Sequence, residues 1–427
     1  MEVNKDTTNN TVYLDDTPNN GLDAAFSFEE GLAFIEQNGK HYFINEKGEN
    51  AFPSLVIGEA SDFSEGWSFA EVNNQNVYLD KTGEIHYGKQ EIENASCFSE
   101  GLAFVKYKGA SGWICIDKEF KELFSLGKCE PVFLFSEGFA VVKREIINYR
   151  PDVYWDVDET TDDEGSKELF VYDDINNGEV PVVADSESET EYAYNFVDRN
   201  GKLLLKRWCL YAGAFSEGFA LVRIIKQNSE SEIYSANEYN YINKEGQLLC
   251  EGNFDYAEPF SEGLGAVALS PDFGELSFTC CYINTSGERV TPKKPNYMLG
   301  SIAERLCPLY SSATSFSEGA ACISYRNVDG MDGEFIDHDG NSLFSFDREC
   351  QYLLFGFKEG LAGFAEMRGF DHEVVRQYFV DKSGKEVFDD KCFDEISPFS
   401  EGFAVVKIDG KYHYINKEGK FLNIDWL

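Results

Sequence analysis

Basic residues are scarce in this chain: 37 lysines and arginines face 76 aspartates and glutamates, for a formal net charge of −39 over 427 residues. A surface that acidic repels phosphate backbones and anionic lipid headgroups, which argues against nucleic-acid and membrane-surface partners. Histidine is scarcer still. None of His41, His86, His338, His372 and His413 stands in a metalloprotease-type or nucleophile-elbow context. No glycine-rich phosphate loop occurs, and acidic pairs are too numerous for any one to mark an acid–base couple. The chain is therefore expected to be non-enzymatic, with no cofactor and no metal. No run approaches the roughly 18 apolar residues of a membrane span, and the start, MEVNKDTTNNTVYLDD, lacks an apolar signal core. The eleven cysteines fall irregularly with no CxxC, which points to neither a disulfide framework nor a zinc site. Unpaired, scattered cysteines fit a reducing compartment, so a cytoplasmic location is expected. Sustained 3.6-residue apolar spacing is missing as well, which removes helices from the expectation.

Aromatic residues are abundant, at 15%, with 36 Phe and 23 Tyr. That load requires a packed core and favours strands. The length suits two or three ordinary domains or one extended array.

A repeat decides between these. The segment PFSEGFAVVK at 398–407 returns as LFSEGFAVVK at 134–143 and as AFSEGFALVR at 214–223. Its Glu-Gly recurs nine times, as Glu30-Gly31, Glu65-Gly66, Glu100-Gly101, Glu137-Gly138, Glu217-Gly218, Glu262-Gly263, Glu318-Gly319, Glu359-Gly360 and Glu401-Gly402. A phenylalanine stands three residues before each glycine, from Phe28 to Phe399. A second signature follows: an aromatic, an aliphatic, Asn or Asp, then polar residues and Gly, as in Tyr241-Ile242-Asn243…Gly246 and Tyr414-Ile415-Asn416…Gly419. The third repeat departs from it, with Cys115-Ile116-Asp117 and Phe120 where glycine is expected.

After each Glu-Gly, apolar residues alternate, as in Ala33/Ile35, Ala140/Val142 and Ala404/Val406. A half-buried strand gives that period. The second signature reads as another strand ending in a turn, where Asn or Asp opens the turn and glycine takes the left-handed position. A short third strand then runs back, as KFLNI at 420–424. Each repeat is thus expected to be a three-stranded meander. Four or five core side chains stabilise such a unit by about 10 kcal/mol. Ordering its roughly 35 residues costs several times more. The units must lean on one another.

The fold class expected is all-β: an open superhelical or solenoid array, with a β-propeller as the alternative. Residues 1–20 hold a half-repeat, Tyr13-Leu14-Asp15-Asp16, read as a cap. Residues 21–427 hold nine repeats in one array, with an acidic insertion at 144–193 in the fourth. The insertion reads as a solvated loop or a partner-docking arm, and Tyr154, Trp155, Asp156 and Asp158 are its candidate contact residues. Its DVDETTDDEG lacks the glycine and glutamate positions of a calcium loop. The nine glutamates read as structural: because unpaired carboxylates stacked at strand spacing would repel, either each accepts backbone hydrogen bonds in its own turn or the repeats are spaced more widely than single strands.

The pattern F-S-E-G-L-A-x-V followed by G-K-x-x-[YF]-I-[DN]-K-x-G resembles the WG-repeat, or KWG-repeat, family. It is carried best by residues 98–118, which include Gly112-Trp113, and by 399–420. The resemblance covers the chain from Leu22 to Ile424 apart from the insertion, although Tyr or His mostly replaces the Trp. It implies bacterial β-repeat proteins, mostly without assigned activity, and transfers no catalytic residues. The function expected is a scaffold for another protein, one with a basic surface. The alternatives are an acidic inhibitor or immunity protein covering a basic toxin or nuclease, and a carbohydrate- or cell-envelope-binding array that uses exposed Tyr and Trp. Oligomeric state is not legible.

Overall fold

A computed structural model describes residues 14–18, 21–145, 192–223, 239–269, 279–291, 313–326, 331–347, 350–368, 373–388 and 391–427. Among them there is no helix. Short antiparallel strands form small sheets, none of them closed into a barrel. The chain divides into two compact units: residues 1–91 with 349–427, and residues 92–348. The first holds repeats one, two, eight and nine, and the second holds repeats three to seven.

Within a repeat, the strand after Glu-Gly pairs with the strand of the second signature. The register is constant. Ala33 faces Ile44, Ala103 faces Ile116, Ala140 faces Val197, Ala220 faces Ile242, Ala321 faces Ile336 and Ala404 faces Ile415. A small residue thus always opposes a branched one. The structure also adds a strand to the expected meander. The linker before the Phe pairs with the strand after the Glu-Gly, as Ile92–Ala95 does with Leu102–Tyr107 and Glu395–Ile396 with Phe403–Ile408. Four strands then follow one another in repeats two, three, six, eight and nine.

The alternation seen in the sequence suggests strands buried on one face, and here the structure corrects it. The residues between the alternating pairs, Phe34, Phe104, Val141, Leu221, Cys322 and Val405, are buried too. The reason is the stacking of sheets. In the second unit, Ala140 and Val142 pack with Phe104 and Phe135 of repeat three and four, while Val141 packs with Phe196, Phe215 and Ala220 toward repeat five. In the first unit, Ala33 and Ile35 pack with Phe28, Val405 and Tyr414, while Phe34 packs with Phe63, Val72 and Val77. One face of each sheet therefore meets the preceding repeat and the other meets the following one. All nine phenylalanines of the first signature are buried in these layers.

In the first unit the file runs eighth, ninth, first, second. The half-unit expected to begin the array lies on the ninth repeat: Leu14–Asp15 pair with Phe421–Leu422 and extend that sheet. Leu22 pairs with Tyr412 beside it. Candidate contact residues Tyr154, Trp155, Asp156 and Asp158 lie outside the described residues.

Candidate functional site: the joints between repeats

The nine Glu-Gly pairs are two-residue hairpin turns. Ser99 and Leu102, for example, exchange both backbone hydrogen bonds across Glu100-Gly101. Every one of the nine glutamates has φ between 51° and 55°, and every glycine that follows has φ between 77° and 94°. Such turns need positive φ at both central positions, and their usual first residue is Asn, Asp or Gly. A glutamate there is strained by about 1 kcal/mol, nine times over, so it must return something that asparagine cannot.

The return is reach. The Glu30 carboxylate accepts the Gly66 N–H at 2.9 Å, in the turn of the next repeat. Six further bonds follow the same rule: Glu100 to Gly138, Glu137 to Gly218, Glu217 to Gly263, Glu262 to Gly319, Glu359 to Gly402 and Glu401 to Gly31, at 2.7–3.3 Å. Each acid therefore joins its turn to the neighbouring one, which corrects the reading of a bond within its own turn. Glu65 and Glu318 hold the same backbone conformation, with φ 53° at each. The serine before the glutamate works in parallel. Ser99, Ser136, Ser216, Ser261 and Ser400 donate to the carbonyls of Phe135, Phe215, Phe260, Phe316 and Phe28, at 2.7–2.8 Å. Tyrosines of the second signature donate across the same joints: Tyr241 to the Glu258 carbonyl, Tyr282 to Thr314 and Tyr414 to Phe26.

A cation completes many of the joints, and it comes from the second signature of the following repeat. The residue after its Asn or Asp reaches back to the previous glutamate: Lys81 to Glu30 at 3.0 Å, Lys244 to Glu137 at 3.0 Å, Lys417 to Glu359 at 2.8 Å, Arg199 to Glu100 at 3.4 Å and His338 to Glu262 at 2.9 Å. The two signatures are thus the two halves of one joint. Sequence reasoning missed these cations because it took that lysine as a turn letter; its fixed place after Asn or Asp was the available signal. At Glu30, Glu137 and Glu359, partial burial pulls the carboxyl's pKa upward. The lysine ammonium and the N–H groups of the neighbouring Gly and Glu outweigh it and leave the pKa below its ordinary 4.5.

The second turn is built as expected. In all nine repeats the Asn or Asp oxygen accepts the N–H groups two and four residues on, as Asn416 does from Glu418 and Lys420. In repeat three Phe120 takes the left-handed position at φ 58°, its ring edge-on to Phe98. The side chains at the first and fifth turn positions suit each other: Asn45 donates to Glu49, Asn284 to Glu288 and Asn341 to Asp337. Repeat two places Asp80 opposite Glu84, with His86 at 3.8 and 4.0 Å from them. These three are the one group among the described residues whose ligand atoms lie together closely enough for a metal ion, and the imidazole between two carboxylates accounts for the arrangement.

One polar hollow of about 300 Å³ lies in repeat eight, beside Arg376. Glu366 at 2.8 Å and Glu386 both hold that guanidinium, and Arg368 lies 2.8 Å from Glu366, so that two cations meet two carboxylates. Burial pushes the Cys115 and Cys209 thiols up to about 12, so neither supplies a thiolate.

The fold and joints define a class: an all-β repeat protein whose modules are tied acid to turn. The model of the WG-containing repeat matches residues 22–40, 43–75, 241–269 and 379–412, and these segments are similar to that repeat. At Gly112, beside Trp113, a β-carbon would lie 2.2 Å from the Gly127 carbonyl oxygen, so only glycine fits. No curated protein matches the chain in sequence. Among solved structures it is similar to a eukaryotic initiation factor, with 10% identity, coverage of 89% of this chain and 90% of that one, and a TM-score of 0.48. It is also similar to AztD of Citrobacter koseri, with 10% identity, coverage of 92% and 87%, and a TM-score of 0.33. A third is the acylaminoacyl peptidase of Pyrococcus horikoshii, with 8% identity, coverage of 90% and 57%, and a TM-score of 0.37. At such identities and scores no activity passes from those proteins to this one.

Proposed function

We propose that the protein is a non-enzymatic scaffold that binds another protein with a basic surface. The observation that carries this reading is the charge surplus, −39 overall. It stands beside a set of cations already committed within the fold: Lys81, Arg199, Lys244, Lys417 and Arg376 all pair with carboxylates of their own unit. The remaining acids set up a field that steers basic partners and repels acidic ones. Seven of the nine glutamates, the most regular polar groups, are engaged in holding neighbouring repeats together, which favours a broad surface over a focused catalytic centre.

The test is capture from cell extract by the immobilised protein at low and at high salt, with the captured species identified. One protein of high isoelectric point, released by salt and able to capture this chain in return, is the expected result. Capture of nothing, or retention of an acidic or neutral protein regardless of salt, overturns the reading.

A further inference from the structure

The five cations of the joints are not equivalent. Four of them are lysines or an arginine, Lys81, Lys244, Lys417 and Arg199, whereas histidine is the residue type whose ordinary proton exchange falls in the neutral range. Histidine occupies this position at the joint between repeats six and seven. We propose that His338 makes that joint a proton-dependent fastening, tight when the imidazole is charged and looser when it is neutral.

The geometry is built for it. His338 Nε2 lies 2.9 Å from the Glu262 carboxylate, the same carboxylate that accepts the Gly319 N–H at 3.0 Å. The ring lies flat on buried Phe316, with centroids 4.4 Å apart and an interplanar angle of 11°. It is therefore held in place whether charged or not, and protonation changes the strength of the contact more than its position. Among the described residues, the ionisable groups placed beside it are acidic. Glu262 faces it from repeat six, Asp337 and Asp339 flank it in its own turn, and Glu318 precedes Gly319, whose N–H the Glu262 carboxylate accepts. Asp337 already spends one carboxylate oxygen on the N–H groups of Asp339 and Asn341 and the other on the Asn341 amide, which leaves Glu262 as the imidazole's partner. A protonated ring donates a charge-assisted bond, and a neutral ring donates only a weaker one.

The test follows amide exchange at Gly319 and, as an internal reference in the same sample, at Gly402, whose acceptor Glu359 is held by Lys417. Protection at Gly319 relative to Gly402 is expected to fall roughly fivefold as the pH is raised through the range in which histidine side chains give up their proton, the difference between a charge-assisted and a neutral hydrogen bond. His338→Lys is expected to remove the pH dependence at the high-protection level, and His338→Gln at the low level. A ratio that stays constant with pH in the native protein overturns the proposal, as does a fall that persists in His338→Gln. The native-protein ratio decides on its own if either variant folds poorly.

Discussion

The joint from repeat eight to nine and the joint from repeat nine to one lie side by side in one unit and are fastened differently. At the first, Glu359 reaches Gly402 at 3.2 Å and Lys417 reaches Glu359 at 2.8 Å. At the second, Glu401 reaches Gly31 at 2.7 Å, but the residue in the lysine's place is Glu46, an acid. The serine and tyrosine bonds found at other joints are kept here, Ser400 donating to the Phe28 carbonyl and Tyr414 to that of Phe26, and two further contacts join them: Lys411 meets Asp23, and the Trp426 indole donates to the Gly48 carbonyl. The pairing of Leu14 with Leu422 adds a strand beside them. The constant part of a joint is therefore the acid on the neighbouring turn, set on a packed aromatic layer, and the cation is an interchangeable supplement.

Six substitutions separate these contributions. The largest effect belongs to the layer: Phe399→Ala and Phe28→Ala should each cost about 3–5 kcal/mol by chemical denaturation, equally at the two joints. A clear inequality would show that the polar contacts, not the core, set the hierarchy. Next come the acids. Glu359→Ala and Glu401→Ala should each cost about 2 kcal/mol, since each leaves a turn amide without its charged acceptor. Loss at only one of the two joints would break the claim of a common fastening. Acid pH gives a third measure. Because the Glu359, Glu30 and Glu137 carboxyls have lowered folded-state pKa values, the stability they contribute is complete above pH 4.5 and is lost as pH falls through the folded pKa. Lys417→Met should make that acid loss shallower, visible as a smaller drop in Tm below pH 4.5. The smallest effect is a gain: Glu46→Lys should supply the missing cation and add a few tenths of a kcal/mol, as exposed ion pairs do, whereas a loss would mean that Glu46 has a role of its own.

Much of this was legible in the residues, and the remainder was hidden for identifiable reasons. Period-two spacing and turn letters are local properties, so the strands around Ala33, Ala140 and Ala404 and the turns after Asn243 and Asn416 could be read directly. Burial on both strand faces was not readable, because Val141 and Phe34 owe it to a neighbouring repeat and not to their own. The linker strand at Glu395–Ile396 is two residues long, too short to show any period. The partners of Glu30 and Glu137 lie 36 and 81 residues further on, and no local pattern gives the direction in which a side chain crosses between modules. The recurrence of Glu beside Gly did mark the place: a residue poorly suited to its turn, kept nine times, signalled a contact beyond that turn.

The most direct test is site-resolved amide exchange in Glu30→Gln and Glu30→Ala. The account predicts that Gly66, in the following repeat, loses protection in both variants and more in the alanine, while Gly31, the glutamate's own neighbour, keeps the protection that Glu401 gives it. Loss of protection at Gly31 with Gly66 unchanged would contradict it.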